Sequence, residues 1–470
     1  MASSEFSAVD WIDRLTPALT NLAKAQIPYL EEYYKHNQFV QVFEDWSNGE
    51  TPVFPLDDLR LLYAMARRGN IRDGEGNYAP LCEVLDPVRH ILRSHPTLAR
   101  VVSPIIGKDE FQMDILNSGG LTYTTDLIAG LIARAAELSE DGFRTAAAEL
   151  NRLLDPMPEA GQGGVPGELD VGFDAVLFYG LTFKHRLDIA DGMVVLPLEQ
   201  IRRFVDQNLV NELAPPGAGF HGWRSMGAVV RPFHWRPEFH RNGRFGDRVP
   251  RNPGKFFREA VIFLDLLAIA HATPVLYLAT MENCIDRSAG RLLGLADRKN
   301  SHNPGRSVQS FDGFDLCPEP VPAALDEARE AFKHRESARF AIVSTEVSKL
   351  SEALVREGRF PDENRFLKVA IVLERMYDLP EWKISHKLQN RASLYLGSDL
   401  ERQERIQKGI KEFYDTRSNI VHRGSNNVPP KERFESFGKG FDIAKQTLFK
   451  LLREGPPENW GEVLPQTPQK

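Results

Sequence analysis

Cysteine is scarce. The three present, Cys82, Cys284 and Cys317, are far apart and form no C-x-x-C pair, which argues against a disulfide framework or a cysteine-rich zinc site and suits a reducing, cytoplasmic setting. Long apolar runs are also missing. The most hydrophobic stretch, residues 260–272, carries Asp265 and His271 and stops at Pro274, short of the roughly 20 apolar residues a bilayer span needs. It is expected to be a buried core helix, with no membrane partner. Residues 1–13 lack the basic-then-apolar pattern of a secretion signal. Positive charge is not in excess: 58 Lys and Arg against 65 Asp and Glu give a net charge of -7, so a polyanion site has to be a local patch. No period of repetition is visible, which excludes a solenoid. Neither Gly-x-Ser-x-Gly nor His-Glu-x-x-His occurs. Gly119-Gly120 and the glycines of 161–167 lack a following Lys-Ser/Thr and are expected to be turns or linkers.

What is present is enough chain for two to four domains, since 470 residues with 42% hydrophobic content can bury sizeable cores. Residues 1–154 show helical spacing in Trp11, Leu15, Leu19 and Leu22 and again over 121–138; Asp109, Glu110 and Asp114 are expected to start a helix. Residues 155–167 hold too much Pro and Gly to continue one. Beyond them, 171–183, 193–196 and 224–235 are expected as strands and 200–213 and 254–272 as helices, with Asp191-Gly192 suited to a tight turn. A second breaker-rich segment covers 300–322. The fold class expected is a predominantly α, multidomain chain: a helical N-terminal region (1–154), a mixed α/β domain (168–299), an all-α helical bundle (323–456) and a disordered tail (457–470).

In the bundle, Phe366, Val369, Ala370, Leu373 and Tyr377 follow i, i+3, i+4, i+7, i+11 and mark one face of a helix over 365–377. A helix over 383–396 ends at Gly397, and a long one starts after Ser398 or Asp399. Its apolar face runs Ile406, Ile410, Phe413, and the next position in the series is Arg417. A permanently charged guanidinium on a buried stripe needs a carboxylate, a phosphate or a partner subunit. A salt bridge to Glu374 or another neighbouring acid is one solution; phosphate is the other. His422 falls near the helix end, where cations are favoured and an imidazole can pass protons; a plain cap or surface histidine is the alternative. Residues 424–430 terminate the helix, and 432–452 form the last one.

The run 410–422, ending Tyr414-Asp415-Thr416-Arg417-Ser418-Asn419-Ile420-Val421-His422, resembles the signature of the Apea-like branch of the HEPN superfamily, in which a helix closes on aromatic-x-x-Arg-Ser-x-Ile-Val-His. Residues 367–376, with Glu374, resemble the preceding helix of that family and 384–396 its connector, so the likeness spans about 323–452. One departure is Arg423, standing where the family often has Gly. The resemblance implies an endoribonuclease that needs no metal or other cofactor and acts as a homodimer, Arg and His of both subunits meeting in a cleft. In such a site the RNA's own 2′-hydroxyl attacks the phosphate, with a proton-moving group and a fixed cation. Arg417 and His422 take those roles, and Ser418, Asn419 and Arg423 are candidate substrate contacts. The resemblance also implies a role in anti-phage defence, with residues before 323 restraining the nuclease until a trigger ligand or phage component arrives.

Basic residues outnumber acids between 378 and 453, among them Lys383, Lys387, Arg391, Arg402, Arg405, Lys408, Lys411, Arg423, Lys431 and Arg433; this is either an RNA-binding face or a solvated surface with ion pairs between turns. His221, His234 and His240, interleaved with Trp223, Phe233 and Trp235, match no standard metal spacing and suit a strand's core face. Two alternatives to the nuclease stay open at this point: an inert HEPN module used for dimerisation or nucleotide binding, and a purely structural bundle.

Overall fold

A computed structural model describes residues 7–27, 29, 59–63, 81–102, 110–115, 118–135, 139–154, 171–201, 226–235, 237–240, 253–285, 287–293, 302–304, 318–355, 361–379, 384–423, 427–457 and 460. The protein is mostly helical and multidomain, with a central β-sheet region and an all-α C-terminal bundle. Two compact units are formed: residues 1–173, 232–250 and 283–300, and residues 174–231, 251–282 and 301–470. No helix of the described residues is long and apolar enough to cross a membrane. The linker at 155–167, most of the helix expected over 200–213, and the tail beyond 460 lie outside the described residues.

The first unit is built on α1 (Ala8–Ala25), whose Trp11, Leu15, Leu19 and Leu22 are buried. Ser7 caps it by accepting from Asp10 N. It packs on α2 (Leu81–Arg93), to which Trp11 Nε1 donates at Ile91 O, 2.9 Å. Helices α3 (Pro96–Val101), α4 (Thr124–Arg134) and α5 (Glu140–Leu154) also belong to it. The expectation of helix around 109–114 fails: β1 (Glu110–Ile115) pairs antiparallel with β2 (Ser118–Tyr123). Phe111, Met113 and Ile115 alternate with polar residues, a period of two that outweighs the acidic start signal. Gly119 and Gly120, expected in a turn or linker, sit inside β2 opposite Asp114 and Met113.

The second unit carries strands in the order β4-β5-β6-β3-β8-β9, from β3 (Val171–Tyr179), β4 (Leu187–Ala190), β5 (Met193–Pro197), β6 (Met226–His234), β8 (Leu276–Ile285) and β9 (His302–Pro304). The short β7 (Glu238–His240) pairs instead with β1. The Asp191-Gly192 turn joins β4 to β5 with φ of 51° and 74°, the left-handed pair a two-residue hairpin loop requires. After the short α6 (Leu198–Ile201), α7 (Pro253–His271) is the buried core helix expected.

A short helix α8 (Arg287–Leu292) belongs to the first unit; the bundle follows with α9 (Pro322–Lys333), α10 (Ala338–Glu352), α11 (Glu363–Met376), α12 (Ile384–Leu396), α13 (Leu400–Arg423) and α14 (Pro430–Glu454). Its hydrophobic core is continuous with that of the sheet, joined where Phe263 of α7 meets Phe332 of α9 edge-on at 5.6 Å. Burial of such aromatic residues dominates the stability of the unit, each contributing on the order of 1.5–3 kcal/mol.

Candidate functional site

Helix α13 begins at Asp399, whose Oδ1 accepts from Arg402 N at 2.9 Å, an acid at the positive end of the helix. Ile406, Ile410, Phe413, Thr416 and Ile420 are buried along one side. On the other, Lys408, Lys411, Asp415, Ser418 and His422 are all exposed. Their steps of three, four, three and four residues keep them on a single face. This exposed row, two lysines leading to His422, was legible in the spacing and escapes an inspection of the apolar stripe alone.

Phe413 fixes the position of the turn that carries Arg417. Its ring stacks on Phe366 of α11 at 5.4 Å and lies against Gly440 of α14, where a Cβ would stand 2.6 Å from Cγ and Cε2 of the ring. Next to it, Tyr414 donates its hydroxyl to Glu374 Oε1 at 2.9 Å. Burial, and then the charge of Glu374, push the Tyr414 hydroxyl well above the ordinary tyrosine range; the nearby positive charge of Arg417 acts the opposite way.

Arg417 is half-buried between Phe413 and Ile420. The salt bridge to Glu374 is absent: among the described residues Arg417 makes no ion pair, and its buried Nε has no hydrogen-bond partner. Two other arginines of the bundle show what a structural role looks like. Arg365 donates Nε to Ala353 O at 2.7 Å and lies over the Phe437 ring. Arg391 donates to the carbonyls of Tyr377 and Asp378 at 2.6 and 2.8 Å. A buried guanidinium N–H without an acceptor costs on the order of 1–3 kcal/mol; the Nε of Arg329 in the same bundle also has no partner among the described residues, but its Nη2 donates to Asp188 O.

His422 is exposed in the last turn of α13 and forms no hydrogen bond with a described residue. It lies five positions beyond Arg417, which on an ideal helix is about 140° around the axis and roughly 7.5 Å along it. Their Cα–Cβ bonds therefore leave the helix in different directions. Ser418 is exposed and Asn419 half-buried, neither with a side-chain partner among the described residues. Arg423 closes the helix, and its side chain lies outside the described residues.

The wider basic face is partly spent on local pairs. Arg402 donates to Gln446, Arg405 stands 4.0 Å from Glu401, and Lys431 is 3.8 Å from Glu435. Lys408 and Lys411 have no such partner among the described residues. Lys383, His221 and Trp223 lie outside the described residues, as do the side chains of His234 and His240; Trp235 is a buried core residue of the first unit. Among the described residues no group of three His, Cys, Asp or Glu side chains is placed to hold a metal ion. The chain matches no protein-family model, no curated protein and no solved structure.

Proposed function

We propose that the C-terminal bundle is a HEPN-type endoribonuclease that cleaves RNA without a metal ion, in a cleft formed between two copies of the chain. The observation that carries this is the half-buried Arg417, whose Nε has no partner among the described residues, near the end of a helix whose exposed face leads through Lys408 and Lys411 to His422. Arg417 binds the scissile phosphate and stabilises the negative charge that builds on it. His422 moves the proton: the 2′-oxygen bonds to phosphorus as its proton is taken up, the bond to the 5′-oxygen breaks, and a proton is delivered to that leaving oxygen. The products are a 2′,3′-cyclic phosphate and a 5′-hydroxyl. Lys408 and Lys411 hold the RNA backbone, and Ser418 and Asn419 reach phosphate or ribose. Because Arg417 and His422 leave α13 in different directions, a second copy completes the cleft. The resemblance to Apea-like HEPN proteins supports the same reading and extends it to anti-phage defence, with the N-terminal part as the regulator.

That divergence also favours a second reading, an inert HEPN module serving dimerisation or nucleotide binding. Cleavage of single-stranded RNA in EDTA by the full chain, by Arg417→Ala and by His422→Ala separates the two. The nuclease predicts cyclic-phosphate ends and losses of about 10²- to 10⁴-fold in the variants. Equal cleavage by all three proteins, or cleavage of a 2′-deoxy substrate at the same rate, refutes the roles given to these residues. No cleavage by any of them favours the inert module. A monomer in sedimentation under cleaving conditions refutes the shared cleft.

A further inference from the structure

We infer that Tyr414 is a positioning residue: its hydroxyl occupies Glu374, keeps that carboxylate off Arg417, and so leaves the guanidinium to the RNA phosphate. The use made of the freed guanidinium rests on the nuclease reading; the choice of partner by Glu374 does not. Glu374 lies in the last turn of α11 and is half-buried. Its one side-chain partner among the described residues is the Tyr414 hydroxyl, which donates to Oε1 at 2.9 Å. Tyr414 and Arg417 are three residues apart on α13, hence neighbours on the helix surface, and the charge of Arg417 is felt at the Tyr414 hydroxyl. An extended arginine reaches as far from its backbone as a tyrosine does, so one acid serves either.

By charge alone the arginine should win, since a guanidinium offers a carboxylate two parallel N–H donors and a full opposite charge, whereas a phenol offers one neutral donor. Entropy and packing favour the tyrosine. Its ring is 8% exposed and meets Phe413 edge-on at 5.5 Å, and Phe413 is itself stacked on Phe366, so the hydroxyl is already aimed and has few rotamers left to lose. An arginine has to freeze a long flexible chain to make the same contact. Burial also keeps the hydroxyl protonated, so it remains a donor at any pH at which the chain works. Removing that hydroxyl leaves a half-buried carboxylate short of a donor, and Arg417 is the cation on the adjoining position. Once the two pair, RNA has to break the pair before its phosphate reaches the guanidinium, and the apparent affinity falls by the fraction of chains in which Arg417 is released.

Tyr414→Phe deletes the hydroxyl and keeps the ring. In cleavage of single-stranded RNA by the full chain in EDTA, Tyr414→Phe should lower kcat/KM by about 5- to 10-fold, the effect of an ion pair of ordinary strength on the released population. Adding Glu374→Gln should return the double variant to the level of Glu374→Gln alone, because the amide carries no charge to hold Arg417. A tyrosine that only packs gives the opposite pattern, a double variant at least as impaired as Tyr414→Phe. Urea melts supply a measurement that needs no cleavage: the coupling between Glu374→Gln and Arg417→Gln should be near zero with Tyr414 in place and about fivefold in the folding constant in the Tyr414→Phe background. If the full chain cleaves nothing, the nuclease reading falls and this coupling alone decides whether Tyr414 holds Glu374 off Arg417. No coupling in the Tyr414→Phe background, or a loss of cleavage that Glu374→Gln does not reverse, overturns the role given to Tyr414. So does a Tyr414→Phe protein that fails to fold, since Arg417 would then have left the released carboxylate unanswered.

Discussion

Replacing Gly440 by alanine places a methyl group against the ring of Phe413, 2.6 Å from Cγ and Cε2, well inside ordinary contact distance. The ring has little room to retreat, because it is stacked on Phe366 at 5.4 Å and meets the ring of its chain neighbour Tyr414 edge-on at 5.5 Å. Overpacking of this kind costs about 1–3 kcal/mol. Alanine also gains about 1 kcal/mol over glycine in a helix interior, which hides part of the cost. Gly438, two residues earlier in α14, supplies the control: nothing lies within 4 Å of a Cβ there, so Gly438→Ala should show the propensity gain alone. The difference between the variants then isolates the clash, about 1–3 kcal/mol, or roughly 2–4 °C of melting temperature per kcal/mol for a unit of this size. Thermal melts of the full chain followed by far-UV circular dichroism read it directly. Phe413 lies one turn before Arg417, so the same variant should also lower any activity that depends on Arg417. A Gly440→Ala protein that melts at or above Gly438→Ala refutes the packing account of α13 against α14.

Alkaline pH should destabilise the chain from about pH 10 upward. Tyr63, Tyr377 and Tyr414 are held neutral by burial, above the ordinary value of 10.0. The unfolded chain releases those protons first, so stability is intact below pH 10 and falls by about 1.4 kcal/mol per pH unit for each buried tyrosine above it. Denaturant melts between pH 8 and 11 should show this slope lessened in Tyr377→Phe; an unchanged slope counts against the burial of that hydroxyl. For the nuclease, Lys408→Ala with Lys411→Ala should weaken RNA binding and reduce the slope of log affinity against log salt by about 1.4, two single-strand phosphate contacts at roughly 0.7 each. A slope unchanged by the double substitution removes the two lysines from the RNA path.

Periodicity was sufficient wherever one face of an element is buried. The step pattern of Phe366, Val369, Leu373 and Tyr377 specified α11, the spacing of Ile406, Ile410 and Phe413 specified α13 and put Arg417 on its buried edge, and Asp191-Gly192 announced its hairpin. Local signals failed where two of them conflicted: Glu110 and Asp114 suggested a helix start, yet the alternation of Phe111, Met113 and Ile115 prevailed, and the segment pairs with β2. Three things were decided by tertiary contacts between residues far apart in the chain. Glu374 was free to pair with either Arg417 or Tyr414, and the approach of α11 to α13 gave it to Tyr414, leaving Arg417 Nε with no partner among the described residues. Gly440 is an ordinary weak helix residue until Phe413 is laid across it. Glu346 was one acid among many, and only the packing of α10 against α11 buried it beside Arg375. Sequence spacing sets which face a residue occupies on its own helix; which side chain it meets there depends on how the helices cross.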